Sequence, residues 1–94
     1  MTIEDVRKEI DRLDHDIVRL ISRRQELAVK IARIKISKGQ PIHDEGRTTA
    51  MLESVFNRAV EYKIDPVSVQ KIFEVLIDMS EQRQRECSGE GNLP

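Results

Sequence analysis

The feature that most constrains this chain is an apolar stripe running through its first third. Val6, Ile10, Leu13, Ile17 and Leu20, then Leu27, Ile31 and Ile34, follow one another in steps that alternate four and three. That is the period of a helix seam packed on another helix. Thr2, with Asp5 three residues on, resembles a capping box in which hydroxyl and carboxylate satisfy free amide donors. The helix is expected to end near Ser37-Lys38-Gly39, where glycine can adopt the left-handed conformation, and Pro41 keeps it from continuing.

Two shorter helices follow. The second starts near Asp44, carries Met51, Leu52, Val55, Phe56 and Ala59 on its apolar face, and runs out around Tyr62-Lys63. Asp65-Pro66 reads as an N-cap with proline at the first helical position. The third helix carries Val69, Ile72, Phe73, Leu76 and Ile77 on its inner face. The glycine-rich end of the chain is expected to fray. The reading is therefore an all-α domain of three helices over 1–85, with a disordered tail over 86–94. Aromatic residues make up 3% of the sequence and tryptophan is absent, which disfavours sheets and agrees with helices.

Length turns this pattern into an assembly. A first helix of roughly 35 residues spans about 50 Å, and the other two are nearer half that. Two short helices cover such a seam only if they line up end to end along it. Pairing two chains through their long helices covers it more readily, so a homodimer is expected. A 94-residue chain buries a modest core and gains from oligomerisation.

Composition narrows the function. Charged residues are 35% of the chain, yet acids and bases interleave to a net charge of −1, so no nucleic-acid footprint appears. No apolar run is long enough to span a bilayer, and the acidic start Met1-Thr2-Ile3-Glu4-Asp5 is unlike a signal peptide. The single cysteine, Cys87, cannot form an internal disulfide, which fits a reducing cytoplasm. His15, His43 and Cys87 lack metal-ligand spacing, and neither a phosphate loop nor a nucleophile–base set is present. No metal and no cofactor are expected.

The informative residues are those that interrupt the stripes. After Leu20 the next seam position falls on Arg24, and a buried guanidinium needs an anionic partner. Arg24 either reaches water or a nearby carboxylate such as Glu26, or it waits for an anionic ligand. Lys35, eleven residues on, projects from nearly the same face about 16 Å away; by itself it also reads as a solvated lysine favourable to the helix dipole. The stripe of the third helix continues to Ser80 and Gln84, as donors or as a helix leaving its core. Asp44 and Arg47 read as a cap with a local ion pair, although Arg47 shares a stripe with Met51 and Val55.

Taken in order, Val6-Arg7-Lys8-Glu9-Ile10-Asp11-Arg12-Leu13-Asp14, Arg23-Arg24-Gln25-Glu26-Leu27-Ala28, Ile34-Lys35, Pro41-Ile42-His43-Asp44-Glu45-Gly46-Arg47 and Ile72-Phe73-Glu74-Val75-Leu76-Ile77-Asp78-Met79-Ser80 with Gln84 resemble the AroQ-class chorismate mutases. The resemblance runs from about Val6 to Arg85. It implies an intertwined dimer of three-helix chains with two active sites shared between protomers. It also implies that Arg7, Arg24, Lys35, Asp44, Arg47, Ser80 and Gln84 bind the substrate, chorismate. Arg7 lies seventeen residues before Arg24, about 25 Å along one helix, so Arg7 is expected to reach the site from the partner. Where family members often carry a glutamate for the substrate's ring hydroxyl, this chain has Thr48, so that contact is expected to be weaker or to pass to Asp44 or water.

The implied chemistry is the rearrangement of chorismate to prephenate in phenylalanine and tyrosine biosynthesis. It is a one-substrate pericyclic step without proton transfer. Negative charge builds on the ether oxygen as its bond to carbon breaks, and donors aimed there stabilise the transition state. Lys35 and Gln84 are the catalytic candidates. Arg7 and Arg24 would clamp the carboxylates, supported by Arg47 and Ser80. Two rivals remain: an isochorismate pyruvate lyase on the same fold, and a non-catalytic helical dimer whose polar seam residues only set register. Asp44 beside Arg47 favours the mutase over the lyase.

Overall fold

A computed structural model describes residues 1–89. It contains three helices, α1 (Ile3–Lys38), α2 (Glu45–Glu61) and α3 (Pro66–Ser88), and no strand among the described residues. The capping box forms: Thr2 Oγ1 accepts from Asp5 N at 3.2 Å, and Asp5 Oδ2 accepts from Thr2 N at 2.9 Å. Gly39, at φ 65°, closes α1, with Gln40 N–H donating back to the Lys35 carbonyl at 2.9 Å. Asp44 caps α2 through Arg47 N, and Asp65 caps α3 through Ser68 N. α3 continues to Ser88, so residues 86–88 are helix rather than tail. The rest of the predicted tail, 90–94, lies outside the described residues.

α1 has 36 residues, and at about 1.5 Å each it accounts for the 54 Å long axis of the molecule. α3 packs between the other two helices, and α1 and α2 do not pack directly on each other among the described residues. The most buried contact of α1 with α3 lies beside the predicted stripe rather than on it. Ala28 and Ala32, one turn apart, are buried there, and their small side chains let α3 approach closely. Ala59 from α2 and Ile77 from α3 complete the buried apolar set among the described residues.

The predicted stripe instead remains open. Every residue from Met1 to Leu20 is exposed, and Val6, Ile10, Leu13, Ile17 and Leu20 are between 38% and 60% accessible. α3 is also read differently at one position: Ile72 is 59% exposed and Val75 58%, so Ile72 faces away from the core that Phe73, Leu76 and Ile77 serve. The radius of gyration, 16.6 Å, exceeds the roughly 12 Å expected of a compact domain of this length. One chain alone thus leaves a long rod with a bare apolar stripe projecting from a small three-helix head.

Candidate active site

The head forms a half-open cavity of about 310 Å³ between the C-terminal half of α1, the start of α2 and the last turns of α3. Arg24, Lys35, Asp44, Arg47, Thr48, Ser80 and Gln84, all picked out in the sequence, line it together with apolar walls from Leu27, Ile31, Ile42, Met51 and Ile77. Of the candidate residues only Arg7 lies elsewhere. It sits on the bare half of α1 and pairs with Glu4 at 2.9 Å, both side chains well exposed.

Two helices bring the donors together. Lys35 Nζ donates to Gln84 Oε1 at 2.9 Å and also to the Ile42 carbonyl, so it is half-buried and ordered rather than solvated. Gln84, the buried polar residue, donates from Nε2 to Ser80 Oγ at 3.1 Å. Its amide carries a second N–H that this chain does not use. Lys35, Gln84 and Ser80 form a line of donors along one wall.

Arg24 is held differently. Its Nη1 donates to the Leu76 carbonyl at 3.2 Å, and its guanidinium lies over the Phe73 ring, 5.8 Å from the centroid. Burial lowers its pKa from the ordinary arginine value, and the charge of Arg47 nearby lowers it further. An arginine stays protonated regardless, so its burial and the second cation nearby both favour an anionic partner there. The neighbouring carboxylate Glu26 is engaged by Arg23 at 2.7 Å. Among the described residues, no ion pair involves Arg24, Lys35 or Arg47. Asp44 and Arg47 are linked through the Arg47 backbone N–H and not as the expected side-chain pair.

Two residues that the sequence reading left out complete the site. Glu81 lines the cavity with its side chain only 14% accessible. His43, on the loop before α2, places Nδ1 2.6 Å from Glu81 Oε1 and Nε2 2.8 Å from Glu45 Oε2. Hydrogen bonds to Glu81 and then Glu45 raise the His43 pKa above its ordinary 6.5. With both ring nitrogens facing carboxylates, the imidazolium is the form that satisfies them. The step of four from Ile77 pointed to Glu81, but a carboxylate on a helix reads first as solvated.

A chain helical over its described residues, whose cavity presents three cations outside any ion pair there, three neutral polar side chains, two carboxylates and apolar walls, has the makings of a site that grips a small anion. Among the described residues no group of three His, Cys, Asp or Glu could hold a metal ion. A family profile described as chorismate mutase type II matches residues 6–85, and the chain belongs to that family. It is similar to a chorismate mutase of Methanocaldococcus jannaschii, 32% identical over 84 residues, covering 89% of this chain and 85% of that protein. A bifunctional chorismate mutase/prephenate dehydratase of Buchnera aphidicola is 32% identical over 79 residues, 84% of this chain but 20% of that protein. The T-protein of Haemophilus influenzae is 34% identical over 74 residues, 79% of this chain and 19% of that protein.

Proposed function

We propose that the protein rearranges chorismate to prephenate, for aromatic amino acid biosynthesis in the cytoplasm, at the cavity of the three-helix head. The unit that does so is the helical domain over 1–85. The observation that carries the proposal is the convergence of Arg24, Lys35 and Arg47, none paired with a carboxylate, on one pocket with Gln84 and Ser80. A substrate with two carboxylates supplies the missing negative charge.

Each side chain has a part in the reaction. Arg24 and Arg47 bind carboxylates, the planar guanidinium of Arg24 being pre-set by Phe73 and the Leu76 carbonyl. Ser80 supports them. Holding both ends folds the enolpyruvyl chain over the ring into the reactive conformer. Lys35 Nζ, which donates to Gln84 Oε1, and the remaining Gln84 N–H both meet the ether oxygen as charge accumulates there. The donors are fixed before the substrate arrives, so they favour the transition state over the ground state.

The site is completed by a second copy of the chain. The bare stripe of α1 needs a cover, and Arg7 on that stretch would enter the partner's cavity to clamp a carboxylate. The test is direct. Purified protein is incubated with chorismate, and both the loss of chorismate and the identity of the product are followed. Prephenate as product is the expected outcome; pyruvate release from isochorismate, or no turnover of either compound, would contradict it.

A further inference from the structure

The cavity is rich in donors and poor in acceptors, and that imbalance singles out one residue. A ring hydroxyl on the substrate needs a partner that accepts. Thr48 offers only a short neutral hydroxyl. Asp44 is exposed, so a hydrogen bond to its carboxylate competes with water, as one to an enclosed carboxylate does not. Ser80 Oγ already accepts from Gln84 Nε2. Glu81 is the remaining candidate. It is the more enclosed of the two carboxylates on the cavity wall, one turn from both Ile77 and Gln84 along α3.

A carboxylate in a pocket for an anion is costly unless its charge is balanced. Here it is balanced from outside the cavity. His43 approaches Oε1 at 2.6 Å, and Arg85 Nη2 stands 3.7 Å from Oε2. These partners orient Glu81, yet a carboxylate offers about four acceptor positions. Two protein partners leave capacity facing the pocket. His43 also ties the loop carrying Ile42 to α3, next to the carbonyl that receives Lys35.

We propose that Glu81, held in place by His43 and Arg85, accepts a hydrogen bond from the substrate's ring hydroxyl and so sets specificity for a hydroxylated ring. His43 is then a positioning residue, acting through Glu81. The inference rests on the function proposed above, because it takes chorismate as the ligand.

The experiment compares chorismate with its counterpart lacking the ring hydroxyl, on wild type, Glu81→Gln and Glu81→Ala. The hydroxyl neither forms nor breaks a bond in the rearrangement, so loss of its partner acts on KM more than on kcat. Glu81→Ala is expected to raise KM for chorismate by about ten- to a hundredfold, the range for a charged hydrogen bond. The affinity of the hydroxyl-free compound, read as its binding or inhibition constant, should stay level or improve, since a repelling charge has gone. Glu81→Gln keeps the shape and one acceptor, and should give a smaller loss in the same direction. His43→Gln should weaken chorismate selectively, by less than Glu81→Ala. Equal losses for both ligands, or none, in the folded Glu81→Gln protein would overturn the assignment while leaving the mutase reading intact. A wild-type protein that neither turns over nor binds chorismate would instead bring down both.

Discussion

Lys35 carries the greatest chemical demand of any single residue in the site. Its ammonium is fixed by Gln84 and by the Ile42 carbonyl, so no reorganisation is needed when charge develops on the ether oxygen. Lys35→Ala is expected to lower kcat by about a hundredfold or more, the effect of losing one preorganised donor. Stopped-time assays at saturating chorismate would check this, and unchanged turnover would remove Lys35 from the mechanism. Gln84 has no proton to lose, so kcat should stay nearly flat between pH 5 and 8. Stability should not be flat. The His43 pKa is raised by Glu81 and Glu45, so its contribution is complete below the unfolded-state value near 6.5 and is lost as pH rises through the higher folded-state value. The Tm of wild type should therefore fall across that range relative to His43→Gln, and parallel curves for the two proteins would contradict a stabilising contact of His43 with Glu81 and Glu45. At this scale the sequence was informative for Arg24, Lys35, Ser80 and Gln84, because each breaks a helical stripe. Glu81 was hidden, since its burial depends on a loop contact 38 residues away that no local period encodes.

At the scale of elements, the close approach of α1 and α3 positions the donors. Ala28 and Ala32 are almost fully buried between the two helices, and Lys35 sits one turn further on to meet Gln84. A larger residue there has no room. Ala32→Leu should force the helices apart, destabilise the protein by about 1–3 kcal/mol and raise KM together with lowering kcat; denaturant melts and steady-state kinetics would record both. A variant as stable and active as wild type would mean that α1 and α3 are not in tight register. Helix boundaries were legible from Thr2-Asp5, Gly39, Asp44 and Asp65-Pro66, all of which form the caps expected of them. The packing face of α1 was not. Large apolar residues dominate a periodicity argument, whereas this contact is made by two alanines. The same bias put Ile72 inside α3, although it faces outward with Val75.

The whole molecule has one half that is folded on itself and one that is not. The head holds the cavity, and the rod from Ile3 to Leu20 exposes its apolar stripe with Arg7 among it. An exposed patch of this extent marks an interaction surface. A second copy presents the same rod, so a two-fold pairing is self-complementary. Such pairing would bring an arginine about 25 Å from Arg24 on its own chain to the neighbouring head. The length mismatch among the helices is the sequence feature from which this pairing is inferred, while the depth of the head and its acid residues had to be seen in three dimensions.

The central claim is that each working site joins Arg7 of one chain to the cavity of another. Mixing Arg7→Ala and Lys35→Ala proteins tests it most directly, with chorismate consumption measured before and after subunits exchange. Each variant alone should be nearly inactive. In a two-fold dimer the mixed species has one site with both residues intact, so an equal mixture should recover about a quarter of wild-type activity. A mixture that exchanges subunits, verified by a tagged chain, yet stays as inactive as its parents would show that the site is not shared.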